Sequence, residues 1–382
     1  MDRNHDIPHD RIAVAMSGGV DSSVAALLLK RAGHDVVGFF LRNGVTREGP
    51  GSARSCCSVS DAADARRVAA RLEIPFYALD VSGPFEGIVQ EFVTAYREGR
   101  TPNPCVKCNV DVKFGRLAEL ARSIGARKVA TGHYARVATV DGRHVLRRGR
   151  DLGKDQSYVL STLDQEQLAA AEFPLGDLTK EDVRALAREA GLATADKPES
   201  QEICFVPTGD YRDVVRERAP ETVAPGEIVT EDGEVVGRHD GVAGFTVGQR
   251  RGLGVAFGAR RHVVRLDPGA RRVVVGTREE ASQRAFTLRD TVWTARPEPG
   301  SDDEAFAVTA RVRHRHLGAA ARARRAGPGG VHVIFEEPEF AVTPGQTAVL
   351  YVGDDVLAAG TIEHVNREGV PCTSKSGTSA PS

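Results

Sequence analysis

Apolar positions along the first third of the chain fall into two rhythms that take turns. Short strand-like runs lie near 12–16, 35–41, 75–80 and 127–131, and helical spacing marks 22–32, 60–72, 84–98 and 111–124. Strand and helix in alternation predict an α/β domain, a parallel sheet covered by helices on both faces. Ligands of such sheets sit at the carboxyl ends of the strands, where 17–23, 41–43 and 131–134 all fall. Helical segments follow at 164–172 and 179–190, the second opened by Thr179 and Asp182 as a capping pair. Beyond Phe205 the pattern shortens to alternating runs at 226–229, 235–237, 262–266 and 272–276, which read as a small β domain. A Pro/Gly/acidic stretch at 296–304 precedes runs at 306–312, 331–335, 348–352 and 356–363, the strands of a C-terminal β-barrel. The expected divisions are a flexible start at 1–10, the α/β domain at 11–206, a central β domain at 207–284, the barrel at 285–368 and a disordered Ser/Thr/Gly/Pro-rich tail at 369–382.

Length and content agree with this division, since 382 residues that are 41% hydrophobic can fill two or three ordinary cores. A formal charge of -1 gives no global basic field, so any nucleic acid must be held by a local basic surface. No apolar run approaches the roughly 20 residues of a membrane span, and residues 1–11 lack the apolar core of a secretory signal. A cytoplasmic protein without membrane contact is expected. In that reducing setting, six cysteines with one Cys-X-X-Cys favour redox, sulfur-transfer or metal chemistry over a disulfide framework.

Ser17-Gly18-Gly19-Val20-Asp21-Ser22-Ser23 joins the first strand to the first helix. Its glycines permit a tight turn and close approach, while the helix start presents N–H groups to an anion. Its hydroxyls add donors for phosphate oxygens, and Asp21 is the expected holder of Mg2+. It is no Walker A loop, because no Gly-Lys-Ser/Thr closes it. It resembles the loop of the ATP pyrophosphatases, which cleave ATP between the α and β phosphates.

Two further segments carry thiols. Thr101-Pro102-Asn103-Pro104-Cys105-Val106-Lys107-Cys108-Asn109 is a proline-stiffened loop in which Lys107 and Lys113 are expected to favour the thiolate. Half of a zinc site is the other reading, but a second pair of ligands to complete the tetrahedron is missing. Pro198-Glu199-Ser200-Gln201-Glu202-Ile203-Cys204-Phe205 holds Cys204 between apolar neighbours, where a buried core cysteine is the simpler reading.

Taken together these motifs resemble the tRNA-specific 2-thiouridylases, bacterial enzymes that place sulfur on C2 of the wobble uridine, over about residues 11–363. Gly99-Arg100-Thr101-Pro102-Asn103-Pro104, Lys113-Phe114-Gly115, Ala130-Thr131-Gly132-His133-Tyr134, Lys154-Asp155-Gln156-Ser157-Tyr158, Ile203-Cys204-Phe205, Gly244-Phe245-Thr246-Val247-Gly248-Gln249-Arg250-Arg251-Gly252-Leu253-Gly254 and Val342-Thr343-Pro344-Gly345-Gln346 carry the likeness. The resemblance implies a nucleotide-hydrolase-like α/β domain followed by two β domains that grip tRNA. ATP is then surrounded by Ala15, Met16, Ser17, Gly18, Gly19, Val20, Asp21 and Ser22, with Leu41 and Gly132. Cys204 carries a persulfide received from a sulfur donor such as a cysteine desulfurase or relay protein. Cys108 is the second thiol, closing a transient Cys108–Cys204 disulfide. Asn103, Pro104 and Cys105 meet the flipped base, and His133, Lys154, Asp155, Gln156, Arg313, His314 and Gln346 contact tRNA, with lysine, glutamate and glutamine tRNAs as the acceptors.

Cys105 departs from the family pattern, where Asp is common. The third thiol opens the alternative of an iron–sulfur cluster on Cys105, Cys108 and Cys204. Cys56 and Cys57 read as inert, partly buried thiols, and Cys372 as a tail residue without a role. His133 has the alternative of a loop-holding hydrogen bonder, Asp155 that of a surface helix cap, and the arginine run at 311–325 that of a solvated strand face. A cytidine thiolase or an amidating synthetase is the rival enzyme, and an RNA-binding protein with a structural metal clip is the rival outside enzymes. Amidation needs no cysteine pair.

Overall fold

The computed structural model describes residues 10–44, 59–198, 203–206, 209–255, 259–302 and 304–367. The expectations for Cys56, Cys57, Cys372, residues 1–9 and the tail lie outside the described residues. The alternation in the first third folds as a parallel sheet of β1 (Arg11–Ala15), β2 (Asp35–Arg42), β3 (Phe76–Asp80) and β4 (Lys128–Ala130). A hairpin of β5 (Ala135–Val140) and β6 (Arg143–Arg148) follows, and then the two-residue β7 (Ala171–Glu172) returns to the sheet. The order is β3-β2-β1-β4-β7, so β1 runs through the middle with the phosphate loop at its carboxyl end.

The helices are α1 (Val20–Arg31), α2 (Val59–Arg71), α3 (Ser82–Arg97), α4 (Pro104–Lys107), a π-helix at Cys108–Arg116, α5 (Leu117–Ser123), α6 (Ser157–Leu160), α7 (Gln165–Ala170), α8 (Lys180–Glu189) and α9 (Tyr211–Arg218). Because side chains of a strand alternate between faces, Ile12 and Val14 of β1 join one core with Val24, Val68 and Val183, while Ala13 faces another with Leu117 and Ala121. This second core also takes in Val349, Tyr351 and Val356 of the C-terminal barrel. The barrel is therefore fused to the catalytic sheet by shared apolar burial. On α3 the stripe Phe85, Ile88, Phe92 and Tyr96 forms a third core with Phe205 and Val215. Each such side chain contributes about 1.5–3 kcal/mol on burial.

The middle domain is a sheet of β8 (Gly226–Thr230), β9 (Val235–His239), β10 (His262–Asp267) and β11 (Arg272–Gly276) over a core of Ile228, Phe245, Val263 and Val273. In the C-terminal domain β12 (Ser282–Trp293), β13 (Ala305–Arg311), β14 (Ala319–Arg325), β15 (Val331–Phe340), β16 (Thr347–Val352) and β17 (Asp355–Asn366) pair antiparallel in the order β12-β15-β14-β13-β16-β17. Pairing of β12 with β17 closes the barrel, and β6 is attached at Arg147 and Asp355.

Several elements differ from the sequence expectation. The helix expected at 111–124 begins as π-helix at Cys108, because the chain runs on without a break from Pro104 at the first helical position of α4. The segment 164–172 stops being helical at Ala170, since its last two residues pair with β4. The hairpin β5–β6 was unexpected although Asp141 and Gly142, both with positive φ, are a strong hairpin turn signal. Helix α9 and strand β12 were also missed. Strand β14 lies in the arginine run whose alternative reading was a solvated strand face, and its inward residues, Ala321 and Ala323, are small.

Candidate active site

The phosphate loop is built by the chain's own hydroxyls. Ser22 Oγ accepts from the Ser17 amide at 3.1 Å and donates to the Gly19 carbonyl at 3.2 Å, and Ser23 Oγ donates to the same carbonyl at 2.8 Å. Gly19 caps α1 without a side-chain bond, so the first amides of a twelve-residue helix open toward the exposed Ser17. Gly18 has a φ of +74° and lies so close to α2 that a Cβ would come within 2.2 Å of the Asp61 carbonyl. Gly132, from the loop after β4, meets the other side: its Cβ would be 2.6 Å from the backbone of Asp21 and Ser22. Ala15 ends β1 and Leu41 is the next-to-last residue of β2, on the same edge, both half-buried. Met16 and Val20 point their side chains into the core, leaving their backbone to the loop.

Asp21 is not an open carboxylate. Lys180 Nζ lies 2.7 and 2.9 Å from its two oxygens, and the Tyr134 hydroxyl donates to Oδ1 at 2.8 Å. Among the described residues no group of three or more His, Cys, Asp or Glu side chains is placed to hold a metal ion. In this structure the Asp21 carboxylate is paired with the Lys180 ammonium. Cys105, Cys108 and Cys204, the alternative iron–sulfur ligands, do not form such a group here. Cys105 is exposed on α4, whereas Cys108 and Cys204 are half-buried.

Cys108 begins the π-helix, and Cys204 follows Ile203 on the segment that leads to Phe205. Both thiol residues pack against the cluster of Phe85, Phe92 and Phe205, and Leu41 packs there too. Lys107 is paired with acidic side chains. Its ammonium is engaged by Glu91 at 3.4 Å and Asp111 at 3.3 Å, which offset its field. Lys113 instead approaches His133, with Nζ 3.5 Å from Nε2. Burial, reinforced by Lys113, holds the His133 pKa well below 6.5, so the ring is neutral. Its Nδ1 is 2.7 Å from Thr131 Oγ1 inside the loop.

The remaining candidates meet where the barrel touches this domain. The Asn103 side chain hydrogen-bonds the Tyr158 hydroxyl, which donates to the Thr347 carbonyl at 2.6 Å. The Thr101 amide donates to Pro344 at 3.0 Å, which brings the half-buried Gln346 beside the 101–104 strip and its buried Pro104. Asp155 is buried: its carboxylate accepts from the Gly149 and Ser157 amides and pairs with Arg311 at 2.6 Å. It caps α6 from the interior and not from the surface. Gln156 Oε1 accepts from the Tyr134 amide at 3.0 Å, and Lys154 is half-buried beside it. Arg313 donates to the Phe340 carbonyl at 2.9 Å, while His314 is exposed.

Three family models match this architecture in turn. Residues 10–208 match a tRNA methyl transferase HUP domain, 212–277 a tRNA methyl transferase PRC-barrel domain and 283–362 an aminomethyltransferase beta-barrel domain. A tRNA-specific 2-thiouridylase MnmA of Moorella thermoacetica is 48% identical over 358 residues, 92% of this chain and 99% of that protein. The chain belongs to the tRNA-specific 2-thiouridylase family. A second 2-thiouridylase, from Rhodopirellula baltica, is 44% identical over 384 residues, 93% of this chain and 96% of its own. Among solved structures, a 4-thiouridine synthetase–RNA complex with bound ATP aligns at 16% identity over 56% of this chain and 51% of that one, with a TM-score of 0.34. That score is too low to carry an inference.

Within this thiouridylase fold, sequence reading missed the cations that organise the loop. Lys180 directly follows the Thr179 cap, whose side chain accepts from the Asp182 amide. A lysine in the first turn opposes the helix dipole, so its presence there signals a carboxylate nearby. Lys197 and Arg311 carried no such signal, because their partners lie 133 to 179 positions away in the chain. Among the described residues no helix is long and apolar enough to cross a membrane.

Proposed function

We propose that this protein uses ATP and a persulfide to convert the wobble uridine of tRNA to 2-thiouridine. The reading rests on one observation above the others: Leu41 at the nucleotide edge, Cys108 and Cys204 pack against one cluster. That packing supports a nucleotide and two thiols acting on a single base. The carbonyl oxygen of C2 is a poor leaving group, so O2 first attacks the α-phosphorus of ATP, forming a C2–O–AMP adduct and releasing pyrophosphate. The amides at the start of α1, Ser17 and Lys180 are the groups available to hold the phosphates.

The terminal sulfur of the Cys204 persulfide then attacks C2. The Cys108 thiolate attacks Cys204 Sγ, forming the Cys108–Cys204 disulfide and leaving the terminal sulfur, with its electron pair, on C2. Collapse to C2=S expels AMP, and an external thiol reductant restores both cysteines. Neutral His133 and the ion-paired Asp155 hold loops in this scheme, while the Asn103 strip receives the flipped base. Lysine, glutamate and glutamine tRNAs are the proposed acceptors, and a cysteine desulfurase or relay protein is the donor.

The test is reconstitution with ATP, a persulfide donor and a transcript carrying a wobble uridine, read by nucleoside mass spectrometry. Wild type is expected to yield 2-thiouridine, and Cys204→Ser none while tRNA binding persists. Normal thiolation by Cys204→Ser, or a thiolated cytidine as product, overturns the reading.

A further inference from the structure

The helical run that carries Cys108 holds a third thiol one turn earlier. Cys105 is the second residue of α4, and the Cys108 amide donates to the Cys105 and Pro104 carbonyls, so the two cysteines stand one helical turn apart. Residues at that spacing share a face, with Cβ atoms about 5–6 Å apart. A disulfide needs about 3.5–4.5 Å between Cβ atoms, so a closure of about 1–2 Å joins them. Asn103 ahead of α4 is extended, so no earlier turn braces Cys105. Cys108 is anchored instead, because its neighbour Asn109, 1% exposed, donates to the Val159 carbonyl at 2.8 Å. Access separates the thiols further. Cys105 is exposed, while Cys108 and Cys204 are half-buried and pack against Phe85, Phe92 and Phe205. Thiol–disulfide exchange requires the attacking thiolate to reach a sulfur of the bond, and these aromatic walls shield a Cys108–Cys204 bond from a protein reductant.

We propose that Cys105 is a catalytic thiol that regenerates the enzyme between turnovers, by moving the disulfide from the half-buried Cys108–Cys204 pair to the accessible Cys105–Cys108 pair. The Cys105 thiol loses its proton to water, and its thiolate attacks Cys108 Sγ. The Cys105–Cys108 bond forms as the Cys108–Cys204 bond breaks, and the electron pair leaves on Cys204 Sγ, which is then ready for the next persulfide sulfur. An external dithiol attacks Cys105 Sγ and releases the Cys108 thiolate. The dithiol's second thiol closes on its first and frees Cys105. The dithiol is oxidised and the cysteine pair reduced by two electrons, the reduction that the proposed reaction already requires.

This inference rests on the disulfide of the function proposed above, and the experiment tells the two apart. First-turnover and steady-state 2-thiouridine formation are measured with a micromolar protein dithiol as reductant, for wild type, Cys105→Ser and Cys105→Asp. A lost base contact slows the first turnover and cannot lower the ratio of steady-state to first-turnover rate. That ratio is expected to fall about tenfold or more in both variants, because a tethered thiol acts at a roughly millimolar effective concentration that a micromolar reductant does not match. Excess dithiothreitol, small enough to reach the half-buried bond, should restore it. Acid quenching, alkylation and peptide mass spectrometry after one turnover without reductant should find Cys105–Cys108 in wild type and Cys108–Cys204 in Cys105→Ser. An unchanged ratio, a low ratio that dithiothreitol leaves low, or Cys108–Cys204 as the only bond in wild type overturns the inference. So does an active wild type holding iron and inorganic sulfide that Cys105→Ser loses. A wild type that thiolates no uridine even in the first turnover sinks the function itself.

Discussion

At the scale of single residues, the site depends on close approaches that leave no room for a methyl group. Gly132→Ala would place a Cβ 2.6 Å from the Asp21 and Ser22 backbone, which cannot swing aside as a side-chain tip could. The loop must move, so KM for ATP is expected to rise severalfold while persulfide loading of Cys204, assayed by alkylation, is unchanged. Asp21 carries a second prediction. Its carboxylate holds Lys180 and Tyr134, so Asp21→Ala frees the ammonium and removes the brace between α1, α8 and the loop after β4. AMP formation is expected to be abolished, and normal AMP formation in this variant would contradict the assigned role. Chain order showed that Asp21 belongs to the loop. It did not show that Lys180, 159 positions away, would sit against it.

At the scale of elements, the attachment of barrel to catalytic domain turns on a buried ion pair. Arg311 at the end of β13 and Asp155 ahead of α6 have side chains 9% and 3% exposed. Removing one partner strands the other charge, so Arg311→Leu is expected to cost about 3–5 kcal/mol. Asp155→Asn combined with Arg311→Leu should recover much of that loss. A double-mutant cycle by denaturant unfolding decides it, and strictly additive effects would show that the pair is uncoupled. The long amphipathic elements were legible because their periodicity is local: α3 announces its buried stripe at 85, 88, 92 and 96. The π-helix was not, since a turn widened from 3.6 residues leaves no distinct spacing within nine residues. Strand β14 was legible only as one of two readings of the arginine run, because its buried face is alanine, whose small apolar area gives a weak signal.

For the whole molecule, the histidines set the acid limit of stability. Burial lowers the pKa of His133, His239, His314, His316 and His332 from 6.5, with added repulsion from nearby cations at His133, His314, His316 and His332. A group with a depressed folded pKa is protonated first in the unfolded chain. Its contribution is complete above about 6.5 and declines as pH falls below that value. Carboxylates with lowered pKa, such as Asp80 near 2, contribute losses only below the ordinary carboxylate range. The midpoint of thermal unfolding is therefore expected to drop between about pH 7 and about pH 5, from histidine protonation. His133→Gln should flatten part of that slope, and a midpoint constant across the interval would refute this account.

The alternation of strand and helix in the first third and the phosphate loop were legible in the chain itself, because each is a pattern among near neighbours. Which groups neutralise one another was decided only by the fold. Asp21 finds Lys180 across 159 positions, Lys197 finds Asp61 across 136 and Arg311 finds Asp155 across 156. Charge pairing depends on distance in space and on exclusion of water, and neither quantity exists until the chain has packed.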